Sequence, residues 1–190
     1  MSRWQPQARD RLERAALELF VERGFEQTTV AEIAGRAGLT ERTFFRHFAD
    51  KREVLFGGSS GLQDLLVAAV GAAPAPAAPL DAVAEALGAA AQMMQERSAN
   101  ARIRQDVIVA NPVLQERELI KLAALAAAMA DGLRRRGVPE PAASLCAEAG
   151  IAVFRVAFER WIEDTDRDFS GLIRESLVEL RALTSGATTG

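Results

Sequence analysis

One hundred and ninety residues, 49% of them hydrophobic and 26% charged, describe a chain able to bury one or two compact cores, which excludes a wholly disordered one. The formal charge of -3 gives no general attraction for nucleic acid, yet it hides a polarity, because residues 36–52 hold five Lys or Arg against two Asp or Glu. Cys146 is the single cysteine and His47 the single histidine, so an intrachain disulfide is excluded and neither a metal site nor a catalytic residue is expected.

No stretch reads as a signal peptide or a membrane helix, since the longest uncharged run, 65–80, is broken by Gly71, Pro74, Pro76 and Pro79. A soluble, cytoplasmic chain is expected. The 37 alanines and the shortage of β-branched runs favour helix over strand throughout. Aromatic residues are unevenly spread: seven fall in the first 56 residues, none lies between Phe56 and Phe154, and tyrosine is absent.

Ala8, Leu12, Ala15, Ala16, Leu19 and Phe20 recur at helical spacing and predict a first helix over 8–23, closed by Gly24. Thr28 and Thr29 can cap a short second helix with Val30, Ile33, Ala34 and Ala37 inward, stopped by Gly38. Thr40 caps a third over 41–48, in which Phe44 and Phe48 share a face. Asp50 caps a fourth from Lys51, which Gly57-Gly58-Ser59-Ser60-Gly61 interrupts as either a helix end or a hinge. Helix resumes over 63–70, and 71–79 is a Pro/Ala linker.

Further helices are predicted over 81–97, 101–110 and 111–136, the last with Leu119, Leu122, Ala126, Met129 and Leu133 on one stripe. A helix over 141–164 is apolar around much of its circumference and so is buried on more than one side. Phe169, Leu172, Ile173, Leu177, Leu180 and Leu183 make a final amphipathic helix, which fades into a loose tail. The expected fold is all-α with about nine helices, divided into 1–56 and 57–190.

The stretch 30–48 fits a helix-turn-helix. Its two helices need a small residue where they touch and a residue tolerant of positive φ in the turn, and Ala34 and Gly38 meet both needs. The third helix then turns Arg42, Thr43, Phe45, Arg46 and His47 outward, a face suited to phosphates and base edges in the major groove of duplex DNA. An enzyme finds no support in these residues, whereas a helical protein-interaction module without specific DNA binding is the alternative.

Gly24-Phe25, Thr28-Thr29-Val30, Ile33-Ala34, Ala37-Gly38-Leu39-Thr40, Thr43-Phe44-Phe45, His47-Phe48 and Lys51 together resemble the DNA-binding domain of the TetR family of bacterial transcriptional regulators, over about residues 8–56. The resemblance implies that Thr29, Thr40, His47 and Lys51 hold phosphates while Arg42, Thr43, Phe45 and Arg46 face the groove. The family commonly has tyrosine where this chain has Phe45, whose ring can offer only packing.

For the remainder, the resemblance implies a helical bundle that binds a small-molecule effector and forms a homodimer through its last two helices. The segments 110–121 and 154–161 resemble a subgroup associated with acyl-CoA-like ligands. Met93, Met94, Val107, Met129, Phe154 and Phe158 are the candidate ligand-binding residues, with an aliphatic or amphipathic molecule suiting them better than a planar one. Arg102, Arg104 and Lys121 are either partners for an anionic headgroup or solvated helix faces. The implied function is a ligand-responsive repressor on a near-palindromic operator, with no cofactor.

Overall fold

The computed structural model describes residues 5–96, 98–164 and 166–185, and among them every regular element is a helix, ten in all. Trp4 and the end of the tail lie outside the described residues. The helices are α1 (Gln5–Arg23), α2 (Val30–Arg36), α3 (Glu41–His47), α4 (Glu53–Phe56), α5 (Ser59–Ala72), α6 (Pro79–Gln95), α7 (Ser98–Val109), α8 (Pro112–Arg135), α9 (Ala142–Glu163) and α10 (Phe169–Thr184). They form two compact units. The first combines the chain up to Ser59 with Arg102–Glu118, and the second combines Ser60–Ala101 with Leu119–Gly190.

In the first unit, α1 buries Leu12, Ala15, Ala16, Leu19 and Phe20, the stripe its spacing predicts. Thr29 and Glu32 form a reciprocal capping box at the start of α2. At its end, the amide of Gly38 donates to the Gly35 carbonyl at 2.9 Å and that of Leu39 to Ala34 at 2.8 Å. This double closure needs a left-handed residue between them, which Gly38 supplies at φ +64°. Thr40 caps α3, whose fully buried Phe44 packs against Phe48 with ring centroids 5.3 Å apart.

Asp50 does accept from the amides of Arg52 (2.7 Å) and Glu53 (3.2 Å), but residues 51–52 form a turn and α4 begins at Glu53. The glycine-rich stretch narrows to a turn at Gly57-Gly58, with α5 already helical through Gly61.

Residues 102–118, which the sequence pattern assigns to the second domain, pack with the first unit. Val107, Ile108 and Leu114 are buried in one cluster with Leu12, Phe44, Phe48, Leu55 and Phe56. The physical reason is size: four short helices cannot enclose an apolar core, and the segment completes it.

The second unit is built on α6, α9 and α10, which pack against one another. Gly150 lets α6 and α9 approach closely, since a Cβ there would collide with the Val83 side chain. Asp168 caps α10 by accepting from the amides of Ser170 and Gly171. Met129 and Leu133 of α8 are fully buried in this core, but Leu119, expected on the same stripe, is 59% exposed. The run 53–72 is long and apolar enough by composition to cross a membrane, where the sequence pattern predicts none; of its large side chains, Val54, Leu55, Phe56, Leu62, Leu66 and Val70 are buried and Leu65 and Val67 half-buried.

Candidate nucleic-acid interface

The first unit carries a helix-turn-helix, α2 and α3, whose second helix is anchored inward by Phe44 and faces outward with Arg42, Phe45 and Arg46. Phe45 is 54% exposed and held edge-on by Phe44, with centroids 5.5 Å apart, so its ring stands outward at a fixed angle.

The charge on this surface is more selective than the sequence total suggests. Arg36 is paired with Glu22 through two hydrogen bonds of 2.9 and 2.8 Å, and Arg52 with Asp50 at 2.5 Å. Arg9 and Arg23 are likewise paired, with Glu13 and Glu32 respectively. Arg42 and Arg46 carry neither an ion pair nor a hydrogen bond among the described residues. The basic excess of 36–52 thus resolves onto the outward face of α3.

The remaining predicted residues are placed around that face. Thr40 accepts from the Thr43 amide at 3.2 Å, and the two hydroxyl oxygens lie 3.1 Å apart. The Thr29 hydroxyl donates to the Glu32 carboxylate at 2.9 Å, so its proton is already engaged. His47 is half-buried, and its Nε2 is enclosed without a hydrogen-bond partner among the described residues. Burial, together with the positive charges of Arg46 and Arg9, holds the His47 imidazole below its ordinary pKa and therefore neutral at pH 7.

Lys51 is not a free cation. Its ammonium donates to the Phe25 carbonyl at 2.7 Å and the Glu26 carbonyl at 3.4 Å, and sits 4.2 Å from the centre of the Phe25 ring. It therefore ties the turn after α1 to the segment before α4. An ammonium has three donors, so this role leaves capacity for one anion.

The ligand candidates separate. Met129, Phe154 and Phe158 are buried in the core of the second unit, and Met93 and Met94 pack against it, but Val107 belongs to the core of the first unit. Phe154 and Phe158 stack with centroids 6.0 Å apart, and both meet Phe169, which stacks on Trp161 at 4.7 Å.

Arg104 is neither a headgroup partner nor a solvated side chain. Its Nε donates to the Leu55 carbonyl at 2.7 Å, its Nη2 to Glu118 at 2.7 Å, and its guanidinium lies 5.0 Å from the Phe56 ring centre. Arg117 approaches the same ring at 5.8 Å while bonding Glu53 at 2.7 Å. Only the recurrence of arginine around residues 102–118 hinted at this cluster, because its other half is some fifty to sixty residues away in sequence.

An anchored helix-turn-helix with unpaired arginines outward, joined in one chain to a second helical unit, defines a DNA-binding regulator. Residues 13–56 match the sequence profile described as bacterial regulatory proteins, tetR family, and residues 77–185 match that of the MftR C-terminal domain. The chain belongs to the TetR family of bacterial transcriptional regulators. It is 46% identical over 81 residues to the HTH-type transcriptional regulator TcmR of Streptomyces glaucescens, a match that spans 43% of this chain and 36% of that protein. Among solved structures, it resembles a putative TetR-family regulator from Syntrophomonas wolfei with a TM-score of 0.70 at 14% identity, covering 97% of this chain and 98% of that one. Thermus thermophilus FadR, a repressor solved with lauroyl-CoA, gives a TM-score of 0.57 at 26% identity over 96% of each chain. The family and these relatives are transcriptional regulators, not enzymes.

Proposed function

We propose that the chain is a cytoplasmic, ligand-responsive repressor that binds a near-palindromic operator as a homodimer and leaves it when a small apolar or amphipathic molecule binds the second unit. The observation that carries the DNA reading is the pair of uncompensated arginines, Arg42 and Arg46, on the outward face of α3, beside neighbours whose charges are satisfied. Cations free of protein partners are the ones that can replace the counterions condensed on phosphates.

Arg42 is assigned to base-edge contact, Arg46 and Thr43 to the groove, and Phe45 to apolar contact with a sugar or a thymine methyl. Thr40, Thr29, His47 and Lys51 are assigned to phosphates, with Thr29 giving up its bond to Glu32 and Lys51 using its remaining donor.

Leu145 and Val156 of α9 and Val178 and Leu183 of α10 are exposed apolar side chains on the two helices assigned to the dimer. We assign these side chains to contact with a second copy, and binding successive major grooves then requires the two α3 helices to lie about 34 Å apart, one turn of duplex. For the effector, the buried Phe154 and Phe158 with the adaptable Met93, Met94 and Met129 favour an aliphatic chain, and an acyl-CoA-like molecule fits that chemistry. Release requires that the ligand bind the non-operator state more tightly.

The test is a footprint on DNA upstream of the chain's own reading frame at fixed salt, with and without lauroyl-CoA. Two protected half-sites one helical turn apart, lost on adding the ligand, support the reading. Protection of any sequence alike favours the interaction-module alternative.

A further inference from the structure

Among the described residues of the second unit, two buried side-chain polar atoms lack a hydrogen-bond partner, the indole Nε1 of Trp161 and the hydroxyl of Ser176. Trp161 is fully buried. Its ring stacks on Phe169 with an interplanar angle of 12°, and the Phe158 ring lies 5.8 Å away. The partly buried Met93 and Met94 of α6 pack on the same core. Gln95, next along that helix, has its carbonyl oxygen engaged by the Phe169 amide at 3.0 Å.

An indole N–H donates and never accepts. Packed between the Phe158 and Phe169 rings, the Trp161 donor has no hydrogen-bond partner, and a buried donor left unpaired destabilises the free protein. Any molecule that brings an acceptor to it relieves that penalty, which makes the atom a discriminator among apolar ligands.

The acceptor is better neutral than ionised. A buried anion needs a cation beside it, and Arg160 and Arg167, the arginines flanking Trp161 in sequence, both bond Glu175. Ser176 adds a second unpaired polar group, a hydroxyl, on the buried stripe of α10 that begins at Phe169.

We propose that Trp161 is a ligand-binding residue whose indole N–H donates to a neutral carbonyl oxygen on the effector, with the effector's apolar chain against Phe154, Phe158, Met93 and Met94. This rests on the reading that the second unit binds an apolar effector, and it adds what that effector must carry.

The test uses the full chain and two probes, 2-undecanone and undecane, which share a chain length and differ by one carbonyl. Trp4 and Trp161 are the only tryptophans, so the Trp4→Phe chain has a single indole N–H resonance. That resonance is expected to move downfield with the ketone and to stay in place with the alkane. Trp161→Phe keeps an aromatic ring and removes the donor, and is expected to weaken ketone binding about 3- to 10-fold more than alkane binding. If both probes bind while the indole resonance stays fixed for each, the Trp161 assignment is overturned and the effector reading stands. If neither probe binds to a chain that still binds its operator, the apolar-effector reading falls and the assignment with it. Should Trp161→Phe fail to fold, the resonance of the Trp4→Phe chain decides alone.

Discussion

Replacing Arg104 by alanine removes three interactions at once from the first unit. The bond to the Leu55 carbonyl is charge-assisted and contributes about 1.5–3 kcal/mol. The ion pair with Glu118 is largely enclosed, with both side chains 19% exposed, and therefore exceeds the 0–1 kcal/mol typical of surface pairs. The contact with the Phe56 ring at 5.0 Å adds about 0.5–2 kcal/mol. These contributions overlap, because one guanidinium makes all three, so the expected cost is about 2–4 kcal/mol. Arg117→Ala removes a more exposed pair with Glu53 and a longer ring contact, and is expected to cost about 1 kcal/mol or less. Amide hydrogen exchange can assign the loss to one unit. Protection in α1, α2 and α4 should fall by about 30- to 1,000-fold in Arg104→Ala, while buried α9 and α10 amides of the second unit keep theirs. Equal effects of the two arginine substitutions, or a loss of less than threefold for Arg104→Ala, would refute this account of how residues 102–118 join the first unit.

Gly150→Ala should cost about 1–3 kcal/mol in chemical denaturation, because the new Cβ enters space held by Val83; an unchanged midpoint would show that α6 and α9 separate freely. His47 is neutral in the free protein because burial, Arg46 and Arg9 depress its pKa, whereas a phosphate brought beside the ring would raise it. Operator binding should therefore take up a proton and tighten as pH falls from about 7.5 toward 6, and His47→Gln should remove that dependence; affinities that are flat with pH would count against the phosphate role. The same depressed pKa makes the fold less stable below about pH 6.5, where the unfolded chain binds the proton first, so that measurement belongs above the onset of acid unfolding. Lys51→Ala should lower affinity for all sequences, reduce the salt slope by about one, and loosen the turn at Phe25 and Glu26, whose carbonyls it holds. An unaltered slope would leave Lys51 a purely structural tie.

What was legible in the sequence was what is decided locally. Thr29, Thr40 and Gly38 act on amides and carbonyls within a few residues of themselves, so spacing alone located both ends of α2 and the start of α3, though not the part Glu32 plays in the first cap. The outward face of α3 followed from period 3.6 once Phe44 was turned inward. Properties decided at long range were not legible. Val107 and Leu119 carry apolar side chains that periodicity cannot allocate between two cores or to solvent, and the structure buries one in the first unit and exposes the other. Net charge likewise concealed that Arg36 and Arg52 are neutralised while Arg42 and Arg46 are not, because Glu22 is remote in sequence from Arg36 and the pairing depends on how α1 and α2 meet.

The central claim is that the face of α3 reads a specific duplex through Arg42. Its most direct measurement is the affinity for the chain's own upstream DNA relative to a scrambled duplex at one stated salt concentration, for the parent and for Arg42→Ala. The parent is expected to prefer its own sequence by a factor of about 10³ or more, and Arg42→Ala to lose about 1–3 kcal/mol of that preference with relaxed selectivity at one base position per half-site. Equal affinity of the parent for both duplexes, or an Arg42→Ala chain with unaltered preference, would contradict it.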